Sequence, residues 1–228
     1  MKSILLLHGW NYKDYTSLTD SKDAWNKRKR FVKKLEEKYK VYKLNFPGFC
    51  GQAEPDKPWY YKDYANYVFE YLKKNNLQVD YILGYSFGGA VATVYNTLID
   101  PNQKLILINP AIVRTNVPPR KNKPSAIRDF FRDLYVKYVI KNQYMVNGTK
   151  FLAKSYQNVV RVQLIDELNG INPELLTIVY GDQDEMVDPH YVYDRLDQAH
   201  KDRVTFVKNG MHDIANTHTD ELISIISK

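Results

Sequence analysis

The sequence is poor in cysteine and in long apolar runs. Cys50 is its one cysteine, so an internal disulfide is excluded and a reducing compartment is expected. No apolar run approaches the roughly 20 residues that a bilayer-spanning helix needs. The apolar run at residues 4–7 is too short for the core of a secretory signal, and it ends in His8-Gly9. We therefore expect a cytoplasmic protein with no membrane span.

The sequence also lacks the motifs of several binding classes. No spacing of His, Cys, Asp and Glu fits a metal site, and no dinucleotide-binding fingerprint is present. Residues 84–89 are rich in glycine, but the lysine of a phosphate-binding loop is missing. We therefore predict no cofactor and no metal ion.

The net charge of +7 is concentrated in one segment. Residues 114–154 contain ten basic and two acidic side chains, which is +8, so the remainder of the chain carries about −1. A solvated basic face is the first interpretation, and a basic flap over an anionic ligand is the alternative. Because no recognised nucleic-acid motif accompanies the charge, we expect no nucleic-acid partner.

Apolar runs of strand length alternate with helical patterns along the chain, whose 228 residues suit one domain. The alternation predicts a mostly parallel sheet of about six strands with helices on both faces. Strands are expected at residues 3–7, 41–45, 80–83, 104–109, 175–180 and 203–207, and helices at 61–74, from about 90 to 99, and at 219–227. A further helical spacing relates Trp25, Arg28, Val32, Leu35 and Tyr39, where the aliphatic stem of Arg28 is expected to pack on the core.

One segment departs from this alternation. Residues 111–172 are too many for a single crossover helix, and Ile127, Phe131, Leu134 and Tyr138 form an apolar stripe at helical spacing. We interpret the segment as an inserted helical lid. The sheet domain is then built from residues 1–110 and 173–228.

The pentapeptide Gly84-Tyr85-Ser86-Phe87-Gly88 follows one predicted strand and precedes a helix. A serine on such a tight turn projects its hydroxyl away from the sheet, and the helix N-terminus favours developing negative charge. A side chain at either glycine would crowd the turn. Ser86 is therefore the candidate nucleophile.

Further polar residues follow other predicted strands, and the loops at the carboxyl ends of parallel strands share one edge of the sheet. His8-Gly9-Trp10 follows the first strand, Asp184 lies in Gly181–Val187 after the fifth, and His212 lies in Gly210-Met211-His212 after the sixth. With the pentapeptide, these motifs and their order of Ser, Asp and His resemble the α/β-hydrolase superfamily, specifically a small lidded esterase.

The resemblance implies a role for each of these residues. His212 would act as general base and acid for Ser86, and Asp184 would orient the imidazole. The backbone N–H groups of Trp10 and Phe87 would form the oxyanion hole. Candidates for lining the substrate pocket are His8, Tyr85, Asn109 and Arg114.

Alternatives remain for two of these roles. Asp182 and Asp188 rival Asp184, although either fits a capping role at a turn or helix. The other four histidines rival His212: His8, His190, His200 and His218. His8 belongs to the His-Gly turn after the first strand, and we expect it to order that turn. We interpret Cys50 as a small residue that its position tolerates.

The predicted activity is cleavage of a small or medium carboxylic ester through an acyl-enzyme. One alternative is a hydrolase of thioester, amide or C–C bonds in an anionic substrate, and another is a non-catalytic ligand receptor on the same fold. The expected partner is a small-molecule acyl substrate. The oligomeric state stays open.

Overall fold

The structure is a computed structural model that describes residues 1–113 and 142–227. The described strands form one six-stranded sheet in the order β2-β1-β3-β4-β5-β6, and every neighbouring pair is parallel. The strands are β1 Ser3–Leu7, β2 Lys40–Leu44, β3 Tyr81–Tyr85, β4 Lys104–Ile108, β5 Leu176–Gly181 and β6 Val204–Val207. The predicted fold class is confirmed, and β3 extends two residues further than predicted.

Helices cover both faces of this sheet. In the described ranges the α-helices are α1 Lys29–Glu36, α2 Tyr61–Lys74, α3 Phe87–Leu98, α4 Gln143–Val146, α5 Lys150–Val159, α6 Ile165–Asn169, α7 Pro189–Asp194, α8 Gln198–Lys201, α9 Ile214–Thr217 and α10 Thr219–Ile226. Short 3₁₀ turns occupy Tyr12–Asp14, Asn26–Arg28 and Pro173–Leu175. None of the described helices is long and apolar enough to cross a bilayer.

The strands are apolar on both sides because both sides are covered. Leu5 and Leu7 of β1 point into a core shared with α2 and α3, whereas Ile4 and Leu6 point into a second core shared with α1 and α10. All four side chains are fully buried. Full burial of one such side chain stabilises the fold by about 1.5–3 kcal/mol.

The register of the sheet aligns the carboxyl ends of its central strands. Leu7 pairs with Gly84, Tyr85 pairs with Ile108, and Ile108 pairs with Val179. The loops that leave β1, β3, β4 and β5 therefore emerge side by side at one edge. This edge carries the candidate site.

The predicted lid is described only in part. Residues 114–141, which include the apolar stripe and Arg114, lie outside the described residues. From residue 142 onward the segment is largely helical, and it is hydrogen-bonded to the sheet domain. The Ser155 hydroxyl accepts a hydrogen bond from the backbone N–H of Trp59 in the sheet domain (2.8 Å). Within the segment itself, the N–H of Leu164 donates to the carbonyl of Ile112 (3.0 Å). The boundaries of the lid stay a prediction.

Candidate active site

Ser86 lies between β3 and α3 in a backbone conformation that is rare for a residue with a side chain. Its φ is +53° and its ψ is −114°. Such strain persists only where the surroundings determine it. Here the Ser86 N–H donates to the carbonyl of Ile108 (2.9 Å), and the Ser86 carbonyl accepts from the N–H groups of Gly89 and Ala111 (2.9 Å each). The side chain is thereby held at the sheet edge.

The two glycines of the pentapeptide are sterically required. A Cβ on Gly84 would lie 2.5 Å from the carbonyl oxygen of Gly88, and a Cβ on Gly88 would lie 2.2 Å from the carbonyl oxygen of Leu7. Both distances are too short for any side chain. The helix α3 therefore packs against the ends of β1 and β3 only because these positions are glycine.

Ser86, His212 and Asp184 form a continuous hydrogen-bonded relay. The Nε2 atom of His212 is 3.0 Å from the Oγ atom of Ser86, and its Nδ1 atom is 2.7 Å from Oδ2 of Asp184. The other carboxylate oxygen of Asp184 accepts from the backbone N–H groups of Met186 (2.7 Å) and Val187 (3.3 Å). The carboxylate is therefore fixed on both sides.

Neither rival acid takes this position. Asp188 caps α7, and its side chain accepts from the N–H of Tyr191 (3.1 Å). Asp182 extends β5 toward β6, with its N–H donating to the carbonyl of Val207 (3.1 Å). It is Asp184 that the structure brings to the imidazole of His212.

The rival histidines are engaged elsewhere. The His190 ring stacks on Phe206 at a centroid distance of 5.1 Å, and Nε2 of His200 lies 2.9 Å from the carbonyl oxygen of Ile171. The His218 ring contacts the hydroxyl of Thr217. None of the three is therefore placed to serve Ser86.

The backbone groups of Trp10 and Phe87 lie close to Ser86 in the structure. Phe87 is the first residue of α3, so its backbone N–H has no acceptor within the helix. The backbone before Trp10 passes close to the serine, because a Cβ on Gly9 would lie 3.3 Å from Cβ of Ser86. The Trp10 and Phe87 rings pack edge to face at 4.9 Å.

His8 is a buried support and not a pocket residue, which corrects the prediction. Its Nδ1–H donates to the carbonyl of Gly9 (2.8 Å), and its Nε2 accepts from the backbone N–H of Phe46 (2.9 Å). Desolvation of the fully buried ring lowers its pKa from 6.5 to about 4, although the hydrogen bond to Gly9 opposes this shift. His8 is therefore a neutral imidazole that joins the loops after β1 and β2.

Asn109 is likewise buried and does not reach the cleft. It is fully inaccessible, and its side-chain amide bonds to backbone groups at the end of β5 and in the loop after β6. Its prediction as a substrate contact is therefore corrected as well. Tyr85 does line the cleft, and burial raises the pKa of its phenol, which stays protonated and donates to the carbonyl of His212 (2.8 Å).

A small cleft of about 180 Å³ opens onto the relay. The residues that line it include Trp10, Tyr85 and Tyr144. The Tyr144 carbonyl accepts from the Tyr15 hydroxyl (3.0 Å), which ties α4 to the loop after β1. Among the described residues, no group of three or more potential metal-binding side chains comes together.

Arg28 lines this cleft, whereas the sequence suggested only that its stem packs on the core. Its guanidinium lies over the Tyr85 ring at 4.3 Å, Nε donates to Asp213 Oδ1 (2.8 Å), and Nη2 donates to the Tyr85 hydroxyl (3.2 Å). A basic residue in an otherwise apolar helical row was the available signal. That pattern by itself favours packing of the aliphatic stem on the core.

Three solved structures share the fold at low sequence identity. The bromoperoxidase from Bacillus anthracis has a TM-score of 0.67 and 16% identity, over 100% of this chain and 92% of that one. An esterase from Exiguobacterium antarcticum has a TM-score of 0.66 and 18% identity, over 100% of this chain and 92% of that one. A meta-cleavage product hydrolase from Pseudomonas fluorescens has a TM-score of 0.66 and 14% identity, over 99% of this chain and 89% of that one.

A comparison with curated proteins gives no significant match. A family model described as the alpha/beta hydrolase family matches residues 4–225, which is nearly the whole chain. The sheet order, the strained serine turn and this match agree, and the chain belongs to the alpha/beta hydrolase family.

Proposed function

We propose that this protein is a serine hydrolase that cleaves a small, neutral carboxylic ester through an acyl-enzyme. Membership of a hydrolase family supports hydrolytic activity in general. The observation that carries the specific proposal is the unbroken relay from Ser86 Oγ through His212 to Asp184. A hydroxyl, an imidazole and a carboxylate in this arrangement are the parts that nucleophilic acyl transfer requires.

The reaction proceeds in two halves. Ser86 Oγ attacks the ester carbonyl while its proton passes to Nε2 of His212, and Asp184 stabilises the imidazolium that forms. The N–H groups of Trp10 and Phe87 donate to the oxyanion, where each donor contributes about 3 kcal/mol. The C–O bond then breaks, and His212 returns the proton to the leaving alcohol. A water molecule, activated by His212, attacks the acyl-enzyme and releases the acid.

The size of the cleft favours a small acyl group. At about 180 Å³ it is smaller than the roughly 300–1,000 Å³ of sites for drug-sized ligands. Trp10 and Tyr144 line the cleft, and their rings are held in place by packing against Phe87 and Tyr156 at 4.9 Å each. We further propose residues 111–172 as a lid, because Tyr144 belongs to that segment and already lines the cleft.

The charges around the cleft favour a neutral substrate. Arg28 is paired with Asp213 (2.8 Å), and Asp14, which also lines the cleft, is paired with Lys27 (3.1 Å). Among the described residues these charges balance. An acetate ester is therefore the expected substrate over a hemisuccinate ester, whose free carboxylate would meet no unpaired cation there.

The test is hydrolysis of p-nitrophenyl acetate by the wild type, by Ser86→Ala and by Ser17→Ala. Ser17 is an exposed serine and provides the matched control. We expect Ser86→Ala to lose activity by a factor on the order of 10⁶, and Ser17→Ala to match the wild type. A Ser86→Ala protein with the wild-type rate would refute the proposal.

The leaving group is tested on a separate panel. Thioesters, amides and ketones with a cleavable C–C bond would use the same relay, so rates on each, compared at equal acyl size, identify the bond. The receptor alternative predicts that no compound on the panel is turned over, although the protein is folded.

A further inference from the structure

We propose that Asn109 is a positioning residue that holds the general base and its acid in register, a role that rests on the proposed function. Asn109 lies directly after β4, is fully buried, and has a backbone φ of +43°. Its Nδ2 donates to the carbonyl oxygens of His212 (2.7 Å) and Met211 (3.2 Å), and its Oδ1 accepts from the N–H of Gly181 (2.8 Å). The Asn109 amide thus joins the loop after β4, to which it belongs, to the end of β5, where the loop after β5 begins, and to the loop after β6.

The two loops that Asn109 bridges carry the acid and the base of the relay, Asp184 and His212. Gly181 opens the turn of Asp184, whose N–H donates to the Gly181 carbonyl (3.2 Å). A Cβ on Gly181 would lie 2.3 Å from the carbonyl oxygen of Gly210, so the acid and base loops touch at this point. A shift of the Asn109 amide would therefore change the distance between Asp184 and His212.

The carbonyl of His212 is fixed by two donors. The Asn109 amide approaches it at 2.7 Å and the Tyr85 hydroxyl at 2.8 Å. Because a peptide group is planar, fixing its oxygen fixes the direction in which the chain leaves His212. The amide and the phenol together therefore set where the imidazole stands above Ser86.

A purely conformational role is the competing explanation. Asparagine tolerates a left-handed backbone better than most residues, and the need for φ above zero would alone select it. Asn76 shows such a case, because its φ is +48° and its exposed side chain is remote from the relay. Glycine serves this conformational need equally well. Replacement by glycine therefore separates the two explanations.

The experiment compares Asn109→Gly with the control Asn76→Gly. We expect Asn109→Gly to lower kcat for p-nitrophenyl acetate about 10- to 100-fold with little change in KM, because a displaced base weakens the chemical step. The rate of fluorophosphonate labelling should fall in parallel. Asn76→Gly should retain both rates. Wild-type kcat in folded Asn109→Gly would overturn the proposal.

A second variant and a spectroscopic signal complete the test. Asn109→Asp keeps the shape of the side chain and the tolerance of a left-handed backbone but loses both donated hydrogen bonds. Its kcat should therefore be lowered at least as much as that of Asn109→Gly. If neither variant folds, Asn109 is a folding residue and the proposal is wrong. The far-downfield proton resonance of the His212 Nδ1–H should shift or broaden in both variants. Since this resonance needs no substrate, it tests positioning even if the wild type cleaves no ester.

Discussion

The buried His8 gives the protein an acid-sensitive element that can be measured in its stability. The ring is fully desolvated and neutral, with Nδ1–H donating to Gly9 and Nε2 accepting from Phe46. Replacing it by His8→Gln removes the titrating group and keeps an acceptor near Phe46. Any constant difference between the two proteins cancels when the comparison is made across pH.

The sign and size of the effect follow from the pKa of His8. In the folded protein this pKa lies at about 4, below the 6.5 of an exposed histidine. Between these values the unfolded chain binds a proton that the folded protein does not, so the stability from neutral His8 is complete above about pH 6.5 and is lost as the pH falls toward 4. A difference of about 2.5 pKa units corresponds to about 3 kcal/mol.

The assay is urea unfolding of the wild type and of His8→Gln at a series of pH values from about 7.5 to 4. The free energy of unfolding of the wild type should fall by about 3 kcal/mol more than that of the variant across this range. His190→Gln provides a histidine-to-glutamine control at an exposed site. Parallel pH curves for wild type and His8→Gln would refute the assignment of a neutral, buried imidazole.

Two further predictions concern the relay and the serine turn. Asp184→Asn should lower kcat about 10⁴-fold, because an amide favours the wrong tautomer of His212; a loss below tenfold in steady-state assays would contradict the orienting role of the carboxylate. Gly88→Ala should lower the free energy of unfolding by about 1–3 kcal/mol or more, because its Cβ would meet the Leu7 carbonyl oxygen at 2.2 Å. Gly170→Ala, whose Cβ would meet its nearest neighbour at 3.3 Å, is the control, and equal denaturation midpoints for the two would count against this steric argument.

The strands and the serine turn were predictable because local pattern decides them. Strands that are buried on both faces appear in the sequence as continuous apolar runs, and β1 begins and ends where this pattern predicts. The helix α2 likewise has the bounds that its helical pattern predicts. The glycines at 84 and 88 mark the turn because no other residue fits between the carbonyl groups around them. The resemblance to the motifs of the α/β-hydrolase superfamily then implied the partners His212 and Asp184 for Ser86, and these three side chains form the hydrogen-bonded relay.

Positions that depend on loop conformation were not predictable. Helical spacing from Trp25 onward placed Arg28 inside a helix, but α1 begins at Lys29 and a 3₁₀ turn precedes it. Arg28 has a φ of −120° and a ψ of 33°, so its side chain leaves the helical row and reaches Tyr85. Asn109 follows a strand end, as a substrate contact would, yet its left-handed backbone accompanies an amide that points into the protein and bonds to other loops.

The covalent step at Ser86 tests the central claim most directly. Folded wild-type protein is incubated with a fluorophosphonate, its intact mass is measured, and the modified peptide is identified. We predict one equivalent of label, located on Ser86, absent from Ser86→Ala and formed far more slowly by His212→Ala. Label on another residue, or none on protein shown to be folded, would contradict the account.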